Sequence, residues 1–168
     1  TKHLTSIVTN DAIKKILSNN TIDLENIDSY KTMIFLKVHD EKQTYYPLVT
    51  LFIKQLWQCL VKETRKNSNL RLKHPFNILF DEMGQFPKFQ EITNILTAGR
   101  SRGVRMNMVV QGFDQLESAY GKNEAQTIRS NANNLVYLLS KDYQTLEEIS
   151  KTLGTKKTSK AKEERVVT

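Results

Sequence analysis

The chain alternates between short, densely apolar runs and longer stretches in which apolar residues recur every three or four positions. Near the start, Asn10 or Asp11 can cap a short helix through Leu17, with Ile13, Ile16 and Leu17 on one face; Asn19-Asn20 ends it. Residues 32–38 are apolar and rich in β-branched side chains, which predicts a buried strand. Residues 39–44 are polar and loop-like. Pro47 suits a first helical turn, and a long helix is expected from there to about Lys66. Its stripe is Tyr45, Val49, Phe52, Leu56 and Leu60. A second set, Leu48, Leu51, Ile53 and Trp57, predicts that the first half is buried on nearly all sides.

A basic loop over 67–75 leads into a second strand, 76–80, that runs directly into Asp81-Glu82. Pro87 precedes a helix bearing Phe89, Ile92, Ile95 and Leu96, with Gly99 placed to stop it. Residues 104–110 form a third strand, ended by Gln111-Gly112. Short helices are expected over 113–120 and 122–129, and a fourth strand over 134–139. Asp142 caps a last helix with Leu146, Ile149 and Leu153, closed by Gly154. Strands alternating with helices specify an α/β fold with a mainly parallel sheet flanked by helices. In such sheets ligands bind beyond the carboxyl ends of the strands, so the residues just after each strand are the ones to inspect.

Composition narrows the class. A length of 168 residues suits one domain, and 39% apolar residues fit a globular chain with a core. A net charge of +7 and a pI near 9.4 suit an anionic partner such as nucleic acid, and equally a solvated basic surface. The single cysteine, Cys59, sits within an apolar helical pattern and reads as a small buried residue. His3, His39 and His74 are scattered, and no Cys/His cluster has metal-ligand spacing. No run reaches the roughly 18–20 apolar residues of a membrane span. The chain begins without Met and stops after Val167-Thr168, so both ends are expected to lie inside a longer protein.

Three places carry chemistry. Asp81-Glu82 at the end of an apolar strand has the shape of a Walker B element: Asp81 would hold a Mg²⁺ that bridges nucleotide phosphates, and Glu82 would orient and polarise the attacking water. Strands also end in acids at ordinary solvated loops, and the motif alone leaves that reading open. Gln111 is placed to hydrogen-bond a γ-phosphate or its attacking water, or simply to cap the next helix. In Gly99-Arg100-Ser101-Arg102-Gly103 two guanidinium groups can grip phosphate bidentately, or lie solvated in a surface turn. No Gly-x-x-x-x-Gly-Lys followed by Ser or Thr occurs in the chain, and Leu116 stands where Gly121-Lys122 would need its earlier glycine. Without such a loop a triphosphate has no backbone cradle, so the chain alone is expected to bind ATP poorly.

The order of these motifs resembles one family. Phe80-Asp81-Glu82-Met83-Gly84-Gln85-Phe86-Pro87, Ala98-Gly99-Arg100-Ser101-Arg102-Gly103, Val110-Gln111, Gln115-Leu116 and Tyr120-Gly121 follow the pattern of the TraG/TraD-type conjugative coupling proteins. These are the hexameric ATPases of DNA conjugation and type IV secretion. Residues 29–57 and 131–154 are similar to the flanking elements of the same domain. Gly112 departs from the Ser of many relatives, and the family's phosphate-loop strand is missing.

The resemblance implies a partial RecA-like ATPase core over 29–154, preceded at 1–28 by the end of, or return from, an inserted helical region and followed at 155–168 by a basic flexible segment. It implies ATP and Mg²⁺ as cofactors, with Asp81, Glu82 and Gln111 at the nucleotide, and Arg100 as a finger completing a neighbouring subunit's site. The parent would be a hexamer on the cytoplasmic face of the membrane, anchored by a region outside this chain. Its partners would be DNA, the relaxase and relaxosome, and the type IV secretion channel. Two other readings are an FtsK-type DNA translocase and a non-catalytic docking module derived from such an ATPase. In RecA-like sheets the phosphate-loop strand lies between the strand ending in the sensor Gln and the one after it. Strands 104–110 and 134–139 are therefore expected to pair directly or to leave a gap for another chain.

Overall fold

The long helix α1 (Tyr46–Thr64) opens with Pro47 in its first turn, where the missing N–H costs no intrahelical bond. The computed structural model describes residues 15, 18, 22–38, 45–86, 88–139 and 141–154. After α1 come β1 (Phe76–Phe80), a 3₁₀ turn (Met83–Gln85), α2 (Ile92–Arg102), β2 (Val104–Met108), α3 (Phe113–Tyr120), α4 (Lys122–Asn131) and α5 (Tyr143–Leu153). The architecture is mixed α/β. Of the helix expected at 10–17 only Lys15 is described, and it is helical; the loop at 39–44 and the basic tail at 155–168 lie outside the described residues.

β1 and β2 pair in parallel with Phe76 opposite Val104 and Phe80 opposite Met108. The pairing continues past both ends, since Phe76 N–H donates to the Gly103 carbonyl and Val109 N–H to the Phe80 carbonyl, each at 2.9 Å. Side chains alternate across the pair. Phe76, Ile78, Phe80, Val104, Met106 and Met108 face the helices, while Asn77, Leu79, Arg105 and Asn107 face solvent. Among the described residues, helices therefore cover one face of this sheet and not both.

The core is built on aromatic stacking below the strand ends. Phe80 meets Phe89 at 5.4 Å and Phe86 at 5.5 Å between ring centroids, and Phe89 meets Tyr120 edge-on at 6.4 Å. Met83, Ile92, Ile95, Leu116, Ala125 and Ile128 fill the space around them. Burial pushes the Tyr120 phenol well above its ordinary range. On the far side, the buried Asp28 carboxylate accepts the N–H groups of Lys73 (2.8 Å) and His74 (2.9 Å), tying the chain before 30 to the loop that enters β1.

Several expectations change. In α1 the buried face is Val49, Ile53, Leu56, Trp57 and Leu60, and Leu51 is exposed; with one layer to pack against, the helix buries one stripe. Cys59 is half-buried rather than buried, and burial raises its thiol pKa. The helix does not stop at Gly99. It continues to Arg102, and Gly103 ends it at φ +85°, the left-handed cap that glycine takes without steric cost. Gly99 instead lies against β2, where a Cβ would sit 3.2 Å from the Val104 carbonyl oxygen.

Residues 32–38 and 134–139 belong to no ladder. Met33, Phe35, Leu135 and Val136 are exposed, and Leu138 is 89% exposed. A strand is stable only when a neighbour takes its N–H and C=O groups and its faces are covered. Among the described residues neither segment pairs with another strand, although Ile34 and Val38 pack against the core. The direct pairing of 134–139 with β2 does not occur, and no described strand stands between them.

Candidate functional site

Two turns stand side by side where the parallel strands end. Phe80 is buried as the last residue of β1, and Met83, two residues after Asp81, is fully buried. Between these anchors Asp81 and Glu82 are exposed. Met83 N–H donates to the Val109 carbonyl at 2.9 Å, so the acidic turn is bonded to the segment that carries Gln111. The structure thus brings Asp81, Glu82 and Gln111 to one end of one sheet.

Glu82 has φ +52° and ψ +45°, the left-handed region that a side chain with a Cβ rarely takes. The conformation is held from both sides: Gln85 N–H donates to the Glu82 carbonyl at 2.9 Å, and Met83 is anchored as above. Backbone strain of this kind collects at working sites because the surroundings must over-determine it.

Gln115 escaped the sequence reading as a member of the site. Its amide donates to the Gln111 side-chain oxygen at 3.3 Å, from one turn into α3. It also closes on the acidic turn, since a Cβ built on Gly84 would lie 2.8 Å from the Gln115 Cβ and 2.9 Å from its Oε1. The i, i+4 spacing from Gln111 was the available signal; the Gly84 contact was not readable. Gly84→Ala is expected to destabilise the fold by about 1–3 kcal/mol, because the Gln115 backbone side must retreat and not just its flexible tip. Chemical denaturation of the two proteins checks this, and an unchanged midpoint would rule the close approach out.

Arg100 lies elsewhere. It is exposed in the last turn of α2, at the end of the sheet where β2 begins, whereas Gln111 follows where β2 ends. At roughly 3.3 Å per residue, the strand alone puts about 16 Å between the two ends. Within one chain Arg100 does not join Asp81, Glu82 and Gln111. Arg102 is not a solvated turn residue: its Nη1 donates to the Ala98 carbonyl at 3.0 Å and its guanidinium lies 6.0 Å above the Trp57 ring, joining α2 to α1.

Two adjacent carboxylates are hard oxygen donors of the kind Mg²⁺ takes while keeping waters and phosphate oxygens. Among the described residues no group of three His, Cys, Asp or Glu side chains comes together, so the donor set suits an ion shared with a bound phosphate rather than one fully caged by protein. The open groove lined by Asp28, Tyr30, Met33, Leu60, His74 and Phe76 is at the opposite end of β1 from these acids. No helix among the described residues is long and apolar enough to cross a membrane.

A parallel pair whose carboxyl ends present an acidic turn beside a Gln turn, with helices packed beneath, is part of a RecA-like P-loop NTPase core. Residues 75–167, more than half of the chain, match the family model described as the TraM recognition site of TraD and TraG. The chain belongs to the TraG/TraD family of conjugative coupling proteins. Among solved structures it is similar to the plasmid coupling protein TrwB in complex with the non-hydrolysable GTP analogue GDPNP, with 27% identity and a TM-score of 0.58 over 68% of this chain. It is also similar to the unbound monoclinic form of the bacterial conjugative coupling protein TrwBdeltaN70, with 26% identity and a TM-score of 0.51 over 66% of this chain. In both cases the match spans about a quarter of the other chain, 27% of its length. No curated protein sequence matches the chain significantly.

Proposed function

We propose that this chain is part of the motor domain of a conjugative coupling ATPase, which uses ATP hydrolysis to drive DNA and its attached relaxase into a type IV secretion channel. The observation that carries the reading is the pair of hydrogen bonds, Val109 to Phe80 and Met83 to Val109, that sets Asp81-Glu82 beside Gln111. In this reading Asp81-Glu82 is the Walker B element. Asp81 would hold Mg²⁺ through water, Glu82 would orient and polarise the attacking water, and Gln111 would hydrogen-bond the γ-phosphate or that water. The metal would supply charge neutralisation at the phosphates. The chain lacks a Gly-x-x-x-x-Gly-Lys loop, so the phosphate cradle comes from elsewhere in the working protein and this chain alone binds ATP weakly.

Support for nucleotide comes from TrwB, whose structure in complex with the GTP analogue GDPNP is similar to this chain. Support for a relaxosome partner comes from the family description, a recognition site for TraM. That description also favours a docking role for this region, which is compatible with catalysis by the same domain. The protein would act as a homo-hexamer at the cytoplasmic face of the membrane, attached through a region outside this chain. The excess of Lys and Arg, +7 overall, suits phosphate contacts along DNA. Deleting the gene is expected to abolish transfer of the cognate plasmid while leaving relaxase nicking intact. Transfer at the normal frequency, scored by mating, would defeat the coupling role.

A further inference from the structure

Around the Gln111 turn, α3, α4 and α5 are held by one polar network. Thr145, 5% exposed on the first turn of α5, accepts the Phe113 N–H with its Oγ1 at 2.9 Å. Its own hydroxyl proton goes to Asp142 Oδ2 at 2.6 Å, and its N–H goes to the same oxygen at 2.8 Å. The Thr145 hydroxyl bond is the chief reason the Asp142 carboxyl is held below its ordinary value of 3.8. The Phe113 ring is covered by the Arg129 guanidinium, 5.1 Å away. That guanidinium is fixed by Glu117 and Glu148, each at 3.2 Å, and Glu117 also accepts Gln144 Nε2 at 2.9 Å.

Phe113 is two residues beyond Gln111 and opens α3, the helix that also carries Gln115. The N–H of Phe113 is one that no earlier turn of α3 can satisfy, since helix-opening donors lack intrahelical acceptors. Thr145 supplies that acceptor from 32 residues away. Its hydroxyl is committed as a donor to Asp142, so its lone pairs are aimed at Phe113 rather than free to rotate.

We infer that Thr145, oriented by Asp142, is a positioning residue for Gln111: it fixes the start of α3 and with it the direction in which the Gln111 amide faces the bound nucleotide. The inference rests on the nucleotide role proposed for Gln111. It assigns to α5 a function beyond packing, as the element that sets the sensor turn. A displacement of about 1 Å at such a turn is enough to cost of order 10²-fold in rate.

The test uses the full-length protein. Thr145→Val, which keeps the branched shape and loses the acceptor, is expected to lower kcat for ATP hydrolysis about ten-fold or more with KM within about two-fold. Thr145→Ser is expected to restore most of that loss. Added to Gln111→Ala, Thr145→Val is expected to cost nothing further. Hydrogen exchange in the peptide containing Phe113 is expected to quicken in Thr145→Val and to stay unchanged in Gln111→Ala. That reading remains available if turnover is too low to measure. A Thr145→Val protein with normal kcat, or losses that add to Gln111→Ala, would overturn the positioning role and leave the Gln111 reading standing. Normal turnover in Gln111→Ala would instead defeat the role of Gln111, and the positioning role with it.

Discussion

Replacing Glu82 by Gln in the full-length protein is expected to abolish ATP turnover, by about 10²-fold or more, while nucleotide still binds. Glutamine matches glutamate in shape but accepts no proton from water. The neighbourhood argues that the loss will be chemical. Glu82 is exposed and makes no described contact on which the core depends, while its position is fixed by the backbone: Met83 N–H on Val109 and Gln85 N–H on the Glu82 carbonyl, both at 2.9 Å. Those bonds survive the substitution, and so does the left-handed turn at φ +52°. The melting temperature should therefore match that of the unaltered protein, and binding of a fluorescent ATP analogue should be retained. Hydrolysis at the normal rate in Glu82→Gln would remove Glu82 from the mechanism. A folded protein that has also lost nucleotide would place it in binding instead.

Arg100→Ala is expected to stop turnover as well, and for a different reason. The guanidinium is at the opposite end of β2 from Gln111, too far to serve the site of its own chain, and it is exposed in the last helical turn before Gly103. In the role proposed for it, this arginine would act on a neighbour's nucleotide, where stabilising transition-state charge is worth about 10³–10⁵ in kcat. Mixed oligomers separate the two roles. Subunits carrying Glu82→Gln still offer Arg100, and subunits carrying Arg100→Ala still offer Glu82. Mixing the two inactive proteins should regain part of the activity at interfaces that combine one intact group from each. If no mixture recovers any activity, although mixed oligomers form, Arg100 does not act across the interface. Arg102 is the contrasting case: bonded to Ala98 and stacked on Trp57, it holds α2 to α1 and is not free to reach a neighbour.

The elements that local pattern could specify were legible. The run ending at Phe80, the strand beginning at Val104, the helix 113–120 and the Asp142 cap are stated by period, β-branching and cap chemistry within a few residues of each other. That Asp81-Glu82 and Gln111 follow strands was legible for the same reason, because a strand end is a local feature. Gly99 misled because two glycines flank the arginines; which one takes positive φ depends on how far α2 can pack along β2 before the chain must turn. The apolar runs 32–38 and 134–139 read as strands because their composition is that of strands. Their sequences do not contain the neighbours that a ladder needs, and among the described residues none is present.

By itself, then, the sequence determined the α/β class, the family pattern and the position of the acidic turn, since all three are written in short-range order. The tertiary structure alone decided that Asp81-Glu82 and Gln111 share one end of the sheet while Arg100 stands at the other. It alone joined Gln115 to Gly84, and Thr145 to Phe113 across 32 residues. Contacts between distant positions depend on how helices settle on a sheet, and side-chain spacing along one segment carries no record of them.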